Sequence, residues 1–422
     1  MSDRLLSEDW VKQRWDLPDT DQDLRRLAGS EWWEWLSTKP AWRGVPDRVL
    51  ALVPVMERER MRAARDQFNN NRVAKHLSGE HDQKTHGSWA GRSITSSREM
   101  VDAWKKYSRE VAPPVGPVAT MQGLKAAIAR RITGRLADVA TEDLTSAAGL
   151  GIRDTSFTRE EQLRNDIERN FIRDALQGNN DEEMQVFLNE EGDLRVVPVG
   201  RVYFGERGQD MLGRSPVPAG TPEAEMLVRE WAVSTMVKRW ADTSNGQNAR
   251  SLALQEAAAT EFGVRNAAPW PTRDRESVDR VLQRDGATLQ RFARAQYEET
   301  QTMLRDMGIS EVMLYRGMMV DPDSDAARAA EGAPSGKGNP LVAQTRPLSS
   351  WSVDQDEAGG FASSSAGSGK VPVVLRAMIP ASAILATPVT GMGSWAEKEM
   401  VTVGTGFDAR ILKVESWELY DE

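Results

Sequence analysis

Val312-Met313-Leu314-Tyr315-Arg316-Gly317-Met318 is a short apolar run of β-forming residues that closes on an arginine and a glycine. Similar runs recur downstream at 371–379, 400–403 and 411–417, with Gly, Pro and Ser between them. The intervening chain holds too little helical pattern for regular βαβ units, so the expected fold of this part is α+β with a mainly antiparallel sheet. An arginine at the end of a core strand needs an anion. Its planar fork suits a phosphate or a carboxylate, and Gly317 allows a ligand to approach the backbone. A salt-bridged structural arginine is the alternative.

Upstream the pattern is helical. Apolar positions recur at three- and four-residue spacing over 121–137, 158–176, 221–241 and 249–262, and a helix over 275–307 is expected to break near Gly286. One β-like stretch, 193–204, interrupts them. Further upstream, 69–97 reads as a linker opened by Asn69, Asn70 and Asn71 and interrupted by Gly79, Gly87 and Gly91. It carries all three histidines, His76, His81 and His86, at a spacing that does not place two on one helix face, and it is expected to be metal-free. Six of the 14 tryptophans fall within the first 42 residues, which suits either a docking surface or a small helical core. The expected organisation is a Trp-rich helical region at 1–68, a linker at 69–97, a mostly helical domain at 98–274 and an α+β domain at 275–422. A fragment starting near Arg275 is expected to fold alone.

Composition narrows the function classes. No run of 18 apolar residues is present, which argues against a membrane span, and the charged N-terminus shows no secretory h-region. Without cysteine there is no thiol nucleophile, disulfide or thiolate metal site. Residues 301–422 hold 10 basic and 16 acidic residues, which argues against a nucleic-acid partner there.

Two further motifs follow Arg316. Ser350 and Ser352, on either side of Trp351, would share a strand face and could hold a carboxylate or a substrate. A polar edge strand is the bland alternative. Glu397 and Glu399 would also share a strand face as i and i+2. Mutual repulsion would raise the pKa of one and suit acid–base work, although Glu-x-Glu is common on solvated surfaces.

The order Arg316, Ser350-x-Ser352, Glu397-x-Glu399 resembles the Arg–Ser–Glu class of mono-ADP-ribosyltransferases, which includes clostridial actin-modifying toxins and phage-encoded transferases. The resemblance spans roughly 285–422. Phe361 stands where toxin-like members place an aromatic that stacks on nicotinamide, and a turn with Gly391, Gly393 and Trp395 precedes the glutamates. Trp351 replaces the usual threonine, Ser364 stands where some members carry a second arginine, and 321–345 reads as an insertion. The segment KHLSGEHDQKTHG at 75–87 also resembles one found in structural and head-morphogenesis proteins of tailed bacteriophages.

What the resemblance implies is an NAD-dependent ADP-ribosyltransferase that uses NAD as a substrate and modifies a host protein, at arginine by the Glu-x-Glu pattern. Catalytic roles would fall to Glu399, Glu397, Ser350 and Arg316, and NAD contacts to Arg316, Gly317, Ser350, Ser352 and Phe361, without a metal. The implied location is the virion or the host cytoplasm, with the phage capsid or portal as a further partner. Two other readings stand beside it: a glycoside hydrolase using the same two glutamates, and a phage minor capsid or portal-associated protein with a degenerate transferase domain, in which residues 1–300 would carry the function.

Overall fold

The computed structural model describes residues 91–111, 121–151, 159–178, 183–189, 192–199, 216–243, 249–264, 275–331, 338–343, 345–363, 369–404 and 406–413. The tryptophan cluster, the three histidines, Val202, Tyr203 and residues 414–422 lie outside them. The elements run β1 (Arg92–Ile94), α1 (Ser97–Val111), α2 (Met121–Arg135), α3 (Thr141–Ala147), α4 (Arg159–Gln177), β2 (Met184–Leu188), β3 (Leu194–Pro198), β4 (Val217–Pro218), α5 (Pro222–Thr243), α6 (Ala249–Phe262) and α7 (Arg275–Asp306). They continue as β5 (Ile309–Val320), α8 (Asp325–Glu331), β6 (Asn339–Ala343), β7 (Leu348–Ser352), α9 (Gln355–Ser363), β8 (Val371–Pro380), β9 (Ile384–Ala386), β10 (Glu399–Val403) and β11 (Phe407–Lys413). The fold is α+β, as the sequence pattern implies.

Local chemistry explains the helix starts. Thr221 caps α5 by accepting the Ala224 N–H at 3.2 Å, with Pro222 at the first helical position and Glu223 and Glu225 in the first turn. Asp354 caps α9 by accepting the Asp356 N–H at 3.0 Å. The long helix α7 is unbroken, contrary to the expected interruption at Gly286. Gly286 is buried on a helix whose packed face carries Val278, Val281, Leu289, Phe292 and Met303, and that burial outweighs its poor propensity. Gly308, at φ 65°, then turns the chain from α7 into β5.

The main sheet has the order β6-β11-β8-β5-β7-β10-β9, and its pairs along this path are antiparallel. The segment 321–345, set apart by the resemblance as an insertion of unknown role, supplies α8 and the edge strand β6, which pairs with β11. Residues 92–97, read as the end of a linker, form β1, which pairs in parallel with β5, and the start of α1. A second sheet of β3-β2-β4 extends the β-like stretch detected near 194.

The apolar core runs without interruption across position 275. One cluster joins Trp104 and Met100 of α1, Ile132 of α2, Trp240 of α5 and Leu252 of α6 to Phe292 of α7 and to Ile379, Met400 and Ile411 of the sheet. A buried charge cluster crosses the same position. Glu299 of α7 accepts the Tyr107 hydroxyl at 2.6 Å, is bonded by Arg131, and pairs with Arg135 at 2.9 Å. Burial alone would raise the Glu299 pKa, but these three donors outweigh it and hold the carboxyl below its usual value. A depressed carboxylate contributes stability at pH values above its unfolded pKa, and this is lost as the pH falls through the folded-state value. Glu299→Ala is therefore expected to lower stability by about 3 kcal/mol at neutral pH, a figure at the low end because Arg131 is partly screened by solvent. The gap between variant and parent should narrow toward acid pH, as urea denaturation at several pH values will read.

Candidate functional site

Strands β5 and β7 share a single backbone pairing, Tyr315 with Ser352, beyond which they separate. The gap between them is a cleft of about 400 Å³, lined on one wall by Tyr315 to Met319 and on the other by Leu348 to Ser352. Arg346, Phe361, Glu397, Glu399 and Trp240 complete it. All the site residues marked in the sequence therefore meet in one place: Arg316, Gly317, Ser350, Ser352, Phe361, Glu397 and Glu399.

Arg316 reaches across the gap and donates to the Ser350 carbonyl, taking up an acceptor on the β7 edge. No carboxylate lies in ion-pair range of Arg316 among the described residues. Burial lowers its pKa, and the more distant Glu399 charge only partly opposes this. Among the described residues the structural-salt-bridge reading of Arg316 thus finds no carboxylate partner, and the guanidinium is held by the neutral Ser350 carbonyl instead. Gly317 has a packing role that the sequence did not reveal. A Cβ there would overlap the Ala358 carbonyl and the Ala362 amide, so the missing side chain lets α9 seat directly on β5. That seating brings Phe361, 51% exposed, to the cleft.

Glu399 opens β10 opposite Ser352, and Val401 is opposite Ser350. With alternation along both strands, Ser350, Ser352 and Glu399 share the cleft face, while Trp351 and Met400 enter the core. Glu399 is 3% exposed. Its Oε1 accepts the Ser350 hydroxyl and the Trp240 Nε1–H at 3.4 Å, and its Oε2 accepts the Ser394 amide at 2.8 Å. Burial raises its pKa, and these hydrogen bonds together with Arg316 oppose the rise. Ser352 acts differently: its hydroxyl donates to the Glu397 carbonyl at 2.9 Å and accepts the Asp354 amide at 3.0 Å, so it ties the glutamate turn to the start of α9.

The expectation that Glu397 and Glu399 share a strand face is corrected. Strand β10 begins at Glu399, and Glu397 lies in the preceding turn, closed by the Lys398 amide on the Trp395 carbonyl at 3.1 Å. Lys398 adopts φ 48°, which breaks the alternation between the two glutamates. Both still face the cleft. Burial, then Glu399 and Glu357, push the Glu397 pKa up.

Two cleft residues escaped the sequence reading. Arg346 lies on the cleft wall, and burial and the nearby Arg316 charge lower its pKa to about 10. Its place four residues before Ser350 was the only available signal. Trp240 comes from α5, 159 residues before Glu399, and nothing in a helical pattern marks it. The turn before the glutamates also depends on the helices. Trp395 packs on Trp104 with ring centroids 5.9 Å apart, and Gln296 accepts the Met392 amide at 3.1 Å. Thr300 donates to the Leu385 carbonyl at 2.8 Å.

No family model, no curated protein and no solved structure matches this chain.

Proposed function

We propose that the protein is an NAD-dependent mono-ADP-ribosyltransferase that modifies an acceptor protein at arginine. One observation carries this reading: a single cleft joins a guanidinium with no ion-pair partner among the described residues, an exposed aromatic ring and a buried carboxylate held by three donors. A dinucleotide with a diphosphate, a flat aromatic leaving group and a bond that breaks with positive charge on a sugar fits these three features in turn. The two-carboxylate hydrolase reading leaves Arg316 and Phe361 without a task.

In this reading Arg316 and Arg346 receive the diphosphate, and Phe361 stacks on the nicotinamide ring. The bond from ribose C1 to the nicotinamide nitrogen breaks, its electron pair leaves with nicotinamide, and positive charge grows on the ribose. Glu399 stabilises that charge from a fixed, largely dry position, and Ser350 orients it. Glu397 takes a proton from the acceptor guanidinium, whose pKa lies above about 12. The freed nitrogen pair then bonds to C1. Water in place of the acceptor gives simple NAD⁺ hydrolysis.

The test is to incubate the protein with NAD⁺ labelled in its adenylate part and a bacterial lysate, and to map the label by mass spectrometry. ADP-ribose on arginine with stoichiometric nicotinamide release supports the reading. Nicotinamide release no higher than that of a Glu399→Gln control overturns it. Arg316→Lys replaces a fork by a point charge and is expected to weaken NAD⁺ binding by about 1–3 kcal/mol, or roughly fivefold to 150-fold. Calorimetry checks this, and unchanged affinity would move the diphosphate elsewhere. Because the Glu399 pKa is raised and only its ionised form serves, hydrolysis is expected to rise with pH through that value.

A further inference from the structure

Between the two glutamates, Lys398 is the only residue other than glycine at positive φ among the described residues. A side chain with a Cβ strains that conformation, and glycine would adopt it freely. The lysine side chain has a specific engagement there. Its ammonium pairs with Asp354 and lies 3.8 Å from Glu357. Asp354 is itself fixed, capping α9 through Oδ1 and accepting the Ser97 hydroxyl on Oδ2 at 3.4 Å. The Lys398 carbonyl also accepts the Val353 amide at 3.1 Å. The turn that carries Glu397 is thus tied to the β7–α9 junction by one side chain and by two backbone carbonyls, those of Glu397 and Lys398. Glu399 is held from outside the turn by Ser350 and Trp240, and within it by the amide of Ser394, whose hydroxyl also accepts the Glu397 amide at 3.4 Å.

We infer that Lys398 is a positioning residue for Glu397: its ion pair with Asp354 holds the glutamate turn against the start of α9, and so sets how NAD⁺ cleavage divides between acceptor transfer and hydrolysis. This rests on the transferase reading. A carboxylate displaced by an ångström or so loses proton-abstraction efficiency steeply, whereas hydrolysis has no need of Glu397.

The experiment uses the full chain with Lys398→Gly and Lys398→Arg, measuring arginine modification, nicotinamide release and thermal unfolding. Lys398→Gly keeps the backbone shape and relieves its strain while removing the ion pair. Transfer is expected to fall by about tenfold to a hundredfold, with hydrolysis within about twofold and the unfolding midpoint unchanged or higher. Lys398→Arg should retain most of the transfer. Undiminished transfer in Lys398→Gly, or loss of both activities together with stability, overturns the assignment and leaves the transferase reading standing. Absence of both activities from the unaltered protein overturns the transferase reading, and the assignment with it.

Discussion

On the proposed transferase reading, Glu399→Gln is expected to abolish both NAD⁺ hydrolysis and transfer, by about a thousandfold or more, because it removes the buried charge assigned to the breaking bond. The contacts make this substitution more severe than its shape suggests. Three donors converge on the two Glu399 oxygens, from Ser350, Ser394 and Trp240. A carboxylate accepts at every position, whereas an amide must turn its NH₂ toward one of those donors. A modest loss of stability, about 1–2 kcal/mol, should accompany the lost activity. Glu397→Gln is expected to behave differently: transfer to arginine disappears and much of the hydrolysis survives, since only the acceptor's proton requires that group. Nicotinamide release and labelled acceptor, measured on the same samples, separate the two. Equal loss of both activities in the two variants would contradict the division of roles.

The second large effect concerns the boundary at Arg275. A fragment of 275–422 is expected to be insoluble or to lack a cooperative unfolding transition, although the sequence motifs all lie within it. The reason is the shared core. Removing α1 to α6 takes Trp104 from Trp395, Trp240 from Glu399 and β1 from the edge of β5. It also uncovers the face of α7 that packs on α6. Each large apolar side chain returned to water costs about 1.5–3 kcal/mol, so about five of them already match the net stability of a domain, near 5–15 kcal/mol. Co-expression of 91–274 should restore solubility and hydrolysis together. A soluble fragment that melts cooperatively and hydrolyses NAD⁺ as the full chain does would show that the helices are dispensable to the site.

Much of the site was legible without coordinates because its chemistry is local. Arg316 and Gly317 interrupt one apolar run, which β5 continues to Val320 so that the expected strand end lies in its interior, Ser350 and Ser352 alternate along another, and Glu399 starts a third, so residue type and strand period were enough to mark them. The helices over 221–241 and 249–262 were legible for a similar reason, since their apolar positions recur at three- and four-residue spacing and the first begins with a Thr221 cap and Pro222. The sequence period failed at Glu397 because a single residue in an unusual backbone conformation, Lys398, ends the alternation. It failed at Gly286 because burial of a whole helix face overrides one residue's propensity.

By itself, then, the sequence determined the α+β class, the order of the three motifs and the side chains able to carry charge chemistry, all of which depend on neighbours a few positions apart. Only the tertiary structure decided that β5 and β7 part after one pairing to open a cleft, that Arg346 stands near Arg316, and that Trp240 touches Glu399. It also decided that one core spans the helices and the sheet. These are contacts between residues far apart in the chain, where no periodicity or local propensity acts, and they are set by how buried surfaces fit once the elements have formed.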